Sequence, residues 1–155
     1  MRKPCAIYRA MVKKAIEYKL SATKGNLEQK RIISSDDASQ YARNFYHEDL
    51  LIYESSFIIM LNNVNNAIAW AKISQGGVSS TLVDTKIVAK YAIDSLASGV
   101  VFAHNHPSGN VKPSIEDKQI TDKLKKALSL FDIKLVDSII VSDNSFYSFS
   151  DEGLL

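Results

Sequence analysis

The stretch from His104 to Asp117, HNHPSGNVKPSIED, constrains the fold of this chain more than any other. The apolar, β-rich run at residues 100–103 leads directly into it and predicts a short buried strand. Because the side chains of a strand alternate between its two faces, His104 and His106 should project to one side of the sheet. Asn105 should project to the other side.

A helix is predicted to begin shortly after this strand ends. Pro107 stops the strand because proline has no N–H to donate, and Ser114 is a suitable N-cap that puts Asp117 at the third helical position. Two imidazoles from a strand end and a carboxylate from a helix start suit Zn²⁺ with one coordination position left open. Such a site is catalytic in type, because zinc lowers the pKa of a bound water to about 7.

Each half of this pattern also has a purely structural interpretation. Ser114 and Asp117 fit a capping box, in which the carboxylate returns a hydrogen bond to the backbone of Ser114. The two histidines could simply be polar neighbours at a strand end. The presence of both halves in one short block favours the metal site, and the structural alternative stays open at this point.

The block has the form H-x-H-P-x6-S-x2-D, and it resembles the metal motif of the JAB/MPN metalloproteases, known as JAMM. The variant HNHPSGN, followed by PS and D, is similar to the RadC branch of bacterial DNA repair proteins, over about residues 32–155. The resemblance implies that His104, His106 and Asp117 bind zinc, that Ser114 assists a developing oxyanion and that an upstream glutamate activates the water. It also implies an α/β fold with a mixed central β-sheet flanked by helices, the three-layer JAB/MPN architecture that resembles cytidine deaminase.

The upstream glutamate has to be found separately. In RadC-like chains it stands a few residues before a strand that ends in LN, and Glu54 has that position before Leu61 and Asn62. Glu54 is therefore the predicted general base, with Glu48 and Asp49 as its nearest rivals.

The chain departs from the RadC-like pattern at one pair of residues. Asp137-Ser138 stands where RadC-like chains tend to have Asp-His. The departure removes a histidine from near the expected site, so the role of this pair is left open.

Hydrophobic periodicity predicts the remaining elements. Helices are expected after an N-cap at Ser35, from 84 or 85 to about 97 and from 114 to about 130; strands are expected at 57–61, 67–73, 133–141 and 146–149. The predicted buried helix positions are Ala38, Tyr41, Ala42 and Phe45 in the first helix, Val88, Tyr91, Ala92 and Leu96 in the second, and Ile120, Leu124, Ala127, Leu128 and Phe131 in the third.

Length and composition predict a globular, cytoplasmic protein. The chain has 155 residues, of which 46% are hydrophobic and 23% charged, enough for one domain with a substantial core. No apolar run approaches the roughly 18 residues that a membrane span needs. The single cysteine, Cys5, cannot form an internal disulfide and suits a reducing compartment.

The charge of the chain is unevenly distributed. Residues 1–35 contain nine Lys or Arg against Glu17 and Glu28, whereas the remainder contains ten against fifteen Asp or Glu. A basic segment at 1–31 is therefore expected before the metallohydrolase domain that the resemblance implies at 32–155. It could contact nucleic acid or an acidic partner, and a solvated basic surface is the favoured alternative.

These patterns together predict a zinc-dependent hydrolase of the JAMM type, a metallopeptidase or isopeptidase acting on a protein or peptide. Two alternatives stay open: a DNA-repair-associated protein that binds or cleaves nucleic acid, and a non-catalytic interaction module stabilised by zinc. A nucleobase deaminase is excluded because the chain contains neither H-x-E nor P-C-x-x-C.

Overall fold

The computed structural model describes residues 15–17, 21–76 and 82–155, so Cys5 and most of the basic segment lie outside the described residues. The α/β fold with a mixed central sheet is confirmed. The strands are β1 (Ser55–Leu61), β2 (Ala67–Gln75), β3 (Gly99–Asn105), β4 (Lys134–Val141) and β5 (Phe146–Ser148). The helices are α1 (Ser35–Arg43), α2 (Thr85–Asp94) and α3 (Ile115–Ser129), and a short 3₁₀ helix covers Glu48–Leu51.

The five strands form one sheet in the order β2-β1-β3-β4-β5. Strands β3 and β4 are parallel, and every other neighbouring pair is antiparallel. Parallel neighbours need a crossover connection, and α3 supplies it. The carboxyl end of β3 therefore leads directly into the loop that starts α3.

The sheet separates two apolar clusters, with α1 on one face and α2 and α3 on the other. Along β3, Val101 and Ala103 belong to the cluster with α1, while Val100 and Phe102 belong to the cluster with the other two helices. All seven residues of β3 are buried. By strand alternation, His104 continues the series of Val100 and Phe102 and faces the side of α3.

The predicted helix faces are partly confirmed. The four positions predicted for α1 are all buried, but the N-cap is Ser34, one residue before the predicted Ser35, and its side chain accepts a hydrogen bond from the backbone of Asp37. The burial predicted for Leu96 and Phe131 is wrong, because these side chains are 84% and 52% exposed. Both residues lie beyond the helix ends, at Asp94 and Ser129, so helical spacing no longer fixes their direction.

Tyr91 is also more exposed than predicted. It lies on α2, but only Val88 and Ala92 of that helix are buried, and the side chain of Tyr91 is 41% exposed. In α3, Leu124 and Leu128 are fully buried, as predicted, and Ile120 packs against the same cluster.

Asp137 is a buried carboxyl group on β4, with 4% of its surface exposed. Its Oδ1 accepts hydrogen bonds from the backbone N–H groups of Ser138 (2.7 Å) and Ser150 (3.0 Å). Its Oδ2 accepts from the hydroxyl of Ser148 at 2.6 Å. Burial raises the pKa of Asp137 above its ordinary value, against the opposing effect of these hydrogen bonds.

Replacing Asp137 with Asn should change stability in a pH-dependent way. A carboxyl group whose folded pKa is raised stabilises the fold most below its unfolded pKa, near 3.8, and this contribution is lost as pH rises through the folded pKa. The free energy of unfolding of the parent, relative to Asp137→Asn, should therefore fall between about pH 4 and pH 7. Urea unfolding at both pH values measures the difference, and a difference that grows with pH would contradict the raised pKa.

Candidate metal centre

The structure brings His104, His106 and Asp117 together where β3 ends and α3 begins. The two imidazole rings lie on the same side of the strand, with centroids 5.1 Å apart. Asp117 is on the first turn of α3, and one ligand atom from each of the three residues lies within 4.8 Å of the others. The three ligand atoms are two nitrogens and one oxygen, a set that could hold a metal ion.

His104 is buried with unsatisfied ring nitrogens. Its side chain is 3% exposed, and neither Nδ1 nor Nε2 has a hydrogen-bond partner among the described residues. Nε2 lies 2.9 Å from Oδ1 of Asp117, but this contact lacks the direction of a hydrogen bond. Since a buried polar atom without a partner is costly, a metal ligated by this ring would remove the cost at one of the two nitrogens.

His106 is oriented by the loop that follows the strand. Its Nδ1 lies 2.7 Å from the carbonyl oxygen of Asn110, and a carbonyl can only accept, so Nδ1 carries the proton. Nε2 is then the nitrogen that faces Oδ2 of Asp117, at 3.4 Å. A backbone carbonyl that fixes the tautomer in this way is the usual outer partner of a metal-binding histidine.

Asp117 serves both the helix cap and the centre. Its Oδ2 accepts hydrogen bonds from the backbone N–H and the hydroxyl of Ser114, both at 2.7 Å, while the hydroxyl accepts from the backbone of Asp117. The capping box is thus present, as the structural interpretation of the sequence required. Oδ1 is directed toward His104, so capping and convergence on the centre are compatible.

The charges at this centre favour a cation. Burial alone would raise the pKa of Asp117, but the adjacent imidazoles of His104 and His106 hold it well below its ordinary value. The hydrogen bond with Asp117 is the main cause that raises the pKa of His106. A carboxylate that stays ionised beside two imidazole nitrogens is a charge arrangement that suits a divalent cation.

The three residues lie in a cleft of about 940 Å³. Its apolar lining includes Leu82, Val83, Phe102 and Ile120, and its charged lining includes Glu54, Glu116 and Lys123. Pockets of this size, mostly apolar with a few convergent polar groups, are typical binding sites for small ligands and peptide segments.

Glu54 shares this cleft with the three candidate ligands. Ser56 pairs with His104 in the antiparallel register of β1 and β3, and Glu54 and His106 each lie two residues further toward the same end. The negative charge of Glu54 is among the causes that raise the pKa of His106, after hydrogen bonding to Asp117 and Asn110. The side chains of the rivals, Glu48 and Asp49, lie outside the described residues.

Other residues of the site were missed from the sequence or assigned otherwise. Lys123 is exposed but lines the cleft, together with Glu116 and Ile120 of the same helix. Their spacing of three and four residues is the sequence signal that they share one side of α3.

Ser138, at the departure from the RadC-like pattern, is fully buried, and its hydroxyl lies 2.9 Å from that of Thr121 on α3.

None of the helices within the described residues has both the length and the apolar character that a membrane span requires.

A family model described as RadC-like JAB domain matches residues 32–154. A UPF0758 protein of Flavobacterium johnsoniae is 41% identical over 128 residues, which cover 83% of this chain and 55% of that protein. The UPF0758 protein YfjY of Escherichia coli is 43% identical over 102 residues, which cover 66% of this chain and 64% of YfjY. A UPF0758 protein of Shewanella loihica is 31% identical over 146 residues, which cover 93% of this chain and 64% of that protein.

The chain thus spans little more than half the length of the first of these relatives, and less than two thirds of the other two. The family match nevertheless includes every residue of the candidate centre, from Glu54 to Asp117. By the extent of this match and the identity to these relatives, the chain belongs to the family of RadC-like JAB domains.

Proposed function

We propose that residues 32–155 form a zinc-dependent hydrolase domain of the JAMM type that cleaves an amide bond in a protein or peptide. The observation that carries the proposal is the convergence of His104, His106 and Asp117 in a cleft that also contains Glu54. Nitrogen and carboxylate ligands in this number suit zinc with one position open, which is the form of catalytic zinc sites.

Bound zinc would supply Lewis acidity, which polarises a carbonyl group and makes hydroxide available at neutral pH. Glu54 would accept the proton of the attacking water on its carboxylate and then donate that proton to the leaving amine. The half-buried position of Glu54 in the cleft suits this exchange. His106, held by the carbonyl of Asn110, would keep its Nε2 free of the proton and available as a ligand.

Ser114 is proposed to donate a hydrogen bond to the developing oxyanion. Its hydroxyl at present donates to Oδ2 of Asp117, so it would have to turn away from that oxygen. The backbone N–H of Ser114 would still hold Asp117, so the helix cap survives the change. One such donor is worth about 2.7 to 4 kcal/mol of transition-state stabilisation in other enzymes.

The cleft supports a peptide substrate. Val83, Phe102 and Ile120 offer apolar surface beside the centre, and Glu116 and Lys123 offer charges of both signs. A peptide with an apolar side chain near the scissile amide would match this lining.

Zinc removal and return should control amide hydrolysis. The full chain, freed of metal with a chelator, is expected to lose cleavage of a fluorogenic peptide library and of isopeptide-linked substrates, and to regain it with one equivalent of zinc. Elemental analysis and cleavage rates measure both quantities. A chain that binds zinc stoichiometrically but cleaves none of these substrates would favour the non-catalytic module.

A role with nucleic acid stays a prediction from the charge of residues 1–35, most of which lie outside the described part of the chain.

A further inference from the structure

Asn105, the residue between the two candidate histidine ligands, is fully buried and uses both ends of its side-chain amide. Its Oδ1 accepts a hydrogen bond from the backbone N–H of Ser55 at 2.7 Å. Its Nδ2 donates to the carbonyl oxygens of Leu50 (2.6 Å) and Tyr53 (2.8 Å). All three partners lie in the short stretch that ends at Ser55, the first residue of β1.

Two of these bonds hold the peptide groups on either side of Glu54. The carbonyl of Tyr53 belongs to the peptide group before Glu54, and the N–H of Ser55 belongs to the one after it. The backbone carbonyl of Glu54 itself accepts from the N–H of Gly76 at 2.8 Å. Because the flanking peptide planes fix the backbone dihedrals of a residue, they fix the direction of its Cα–Cβ bond.

We propose that Asn105 is a positioning residue, which holds the Glu54 carboxylate in place relative to the metal ligands; this inference rests on the proposed function. His104 and His106 project into the cleft from one face of β3, and Asn105 projects from the opposite face to the backbone of Glu54. Three consecutive residues, the last two of β3 and the one that follows it, thus align the candidate ligands and the base. A shift of β3 would move the candidate ligands and Glu54 together, so the distance between them would be kept.

Asn105→Ala is expected to lower kcat roughly 100-fold, the effect of misplacing a catalytic group by about 1 Å, with KM little changed. Zinc affinity should change by less than the roughly 10- to 100-fold that is lost when a hydrogen-bond partner of a ligand is removed, since Asn105 bonds to none of the candidate ligands. The amide of Ser55 should exchange with deuterium about tenfold faster, since it loses its acceptor. In a Glu54→Gln background, Asn105→Ala should cause no further loss of kcat, because it acts through Glu54.

Asn105→Asp tests the same inference if the alanine variant does not fold. It keeps an acceptor for Ser55 but offers at most one O–H donor, when protonated, in place of the two N–H donors to Leu50 and Tyr53, so Ser55 should stay protected while kcat falls. Asn62→Ala is the matched control, since its Oδ1 accepts from the backbone N–H groups of Val64 and Asn66 just beyond the other end of β1. It should lose stability without loss of kcat.

Two results would overturn the inference: unchanged deuterium exchange at Ser55 in Asn105→Ala, or a zinc-loaded Asn105→Ala variant as active as the parent. The exchange experiment needs neither zinc nor substrate. If the parent cleaves no amide, the proposed function fails, and faster exchange at Ser55 with unchanged zinc affinity would still support the positioning of Glu54 by Asn105.

Discussion

Glu54→Gln is expected to lower kcat by about 10²–10⁴-fold while the protein keeps its zinc, because Gln has nearly the same shape but cannot accept the proton of the attacking water. Glu54 lines the cleft with the candidate ligands but is not one of the three grouped ligand residues, so zinc stoichiometry should be unchanged. Peptide cleavage rates and elemental analysis on the same preparation measure both effects. KM should change less than kcat, because the proton transfer belongs to the transition state.

The same substitution at two further glutamates tests whether the loss of kcat is specific to Glu54. Glu116 is the other glutamate that lines the cleft among the described residues, and it is the rival base that the structure offers. Glu152→Gln, at an exposed position near the C-terminus, is the matched control for the same chemical change. A Glu54→Gln variant as active as the parent, or a loss of kcat in Glu116→Gln alone, would reject the assignment of the base.

The convergence of the three candidate ligands could be predicted from the sequence because their placement follows local rules. The alternation of side chains along a strand puts His104 and His106 on one face, and helix capping puts Asp117 within reach of Ser114. The sequence offered capping and metal binding as alternatives. The structure makes the two compatible, since Oδ2 serves the cap while Oδ1 is directed toward His104.

Glu54 could be nominated only through the family resemblance, because the pairing that brings it to the centre is not local. Fifty residues separate it from His104, and the antiparallel register of β1 with β3 sets its position. Asn105 shows the same limit. Strand alternation predicted that the side chain of Asn105 points away from the face that carries the two histidines. Its partners at Leu50, Tyr53 and Ser55 could not be predicted, because they depend on how a segment distant in sequence packs against β3.

The errors in helix burial also have a physical cause. Periodicity predicted Leu96 and Phe131 as buried because each continues the apolar spacing of the helix before it. The helices end at Asp94 and Ser129, and the backbone of Leu96 turns to a φ of +53°. Helix ends are the least reliable part of a periodicity argument, so side chains just beyond them are the ones misplaced.

His104→Ala is expected to abolish zinc binding and, with it, the stabilisation of the fold by zinc. In the parent, zinc at about 1,000 times its Kd should add about 4 kcal/mol to the free energy of unfolding, provided that the unfolded chain does not bind it. His104→Ala should show no such increase, because only His106 and Asp117 remain of the three grouped ligands. Without zinc, the free energies of unfolding of the variant and the parent should differ by less, since the substitution removes a buried ring whose nitrogens have no hydrogen-bond partner.

Elemental analysis, and urea unfolding of parent and variant with and without zinc, measure this coupling directly. His47→Ala is the control, because His47 is exposed and is not among the described residues grouped as candidate ligands. It should keep both the zinc and the zinc-dependent stabilisation. Zinc bound to His104→Ala with the stoichiometry and stabilisation of the parent would mean that the cation is held elsewhere, and the hydrolase proposal would lose the centre on which it is built.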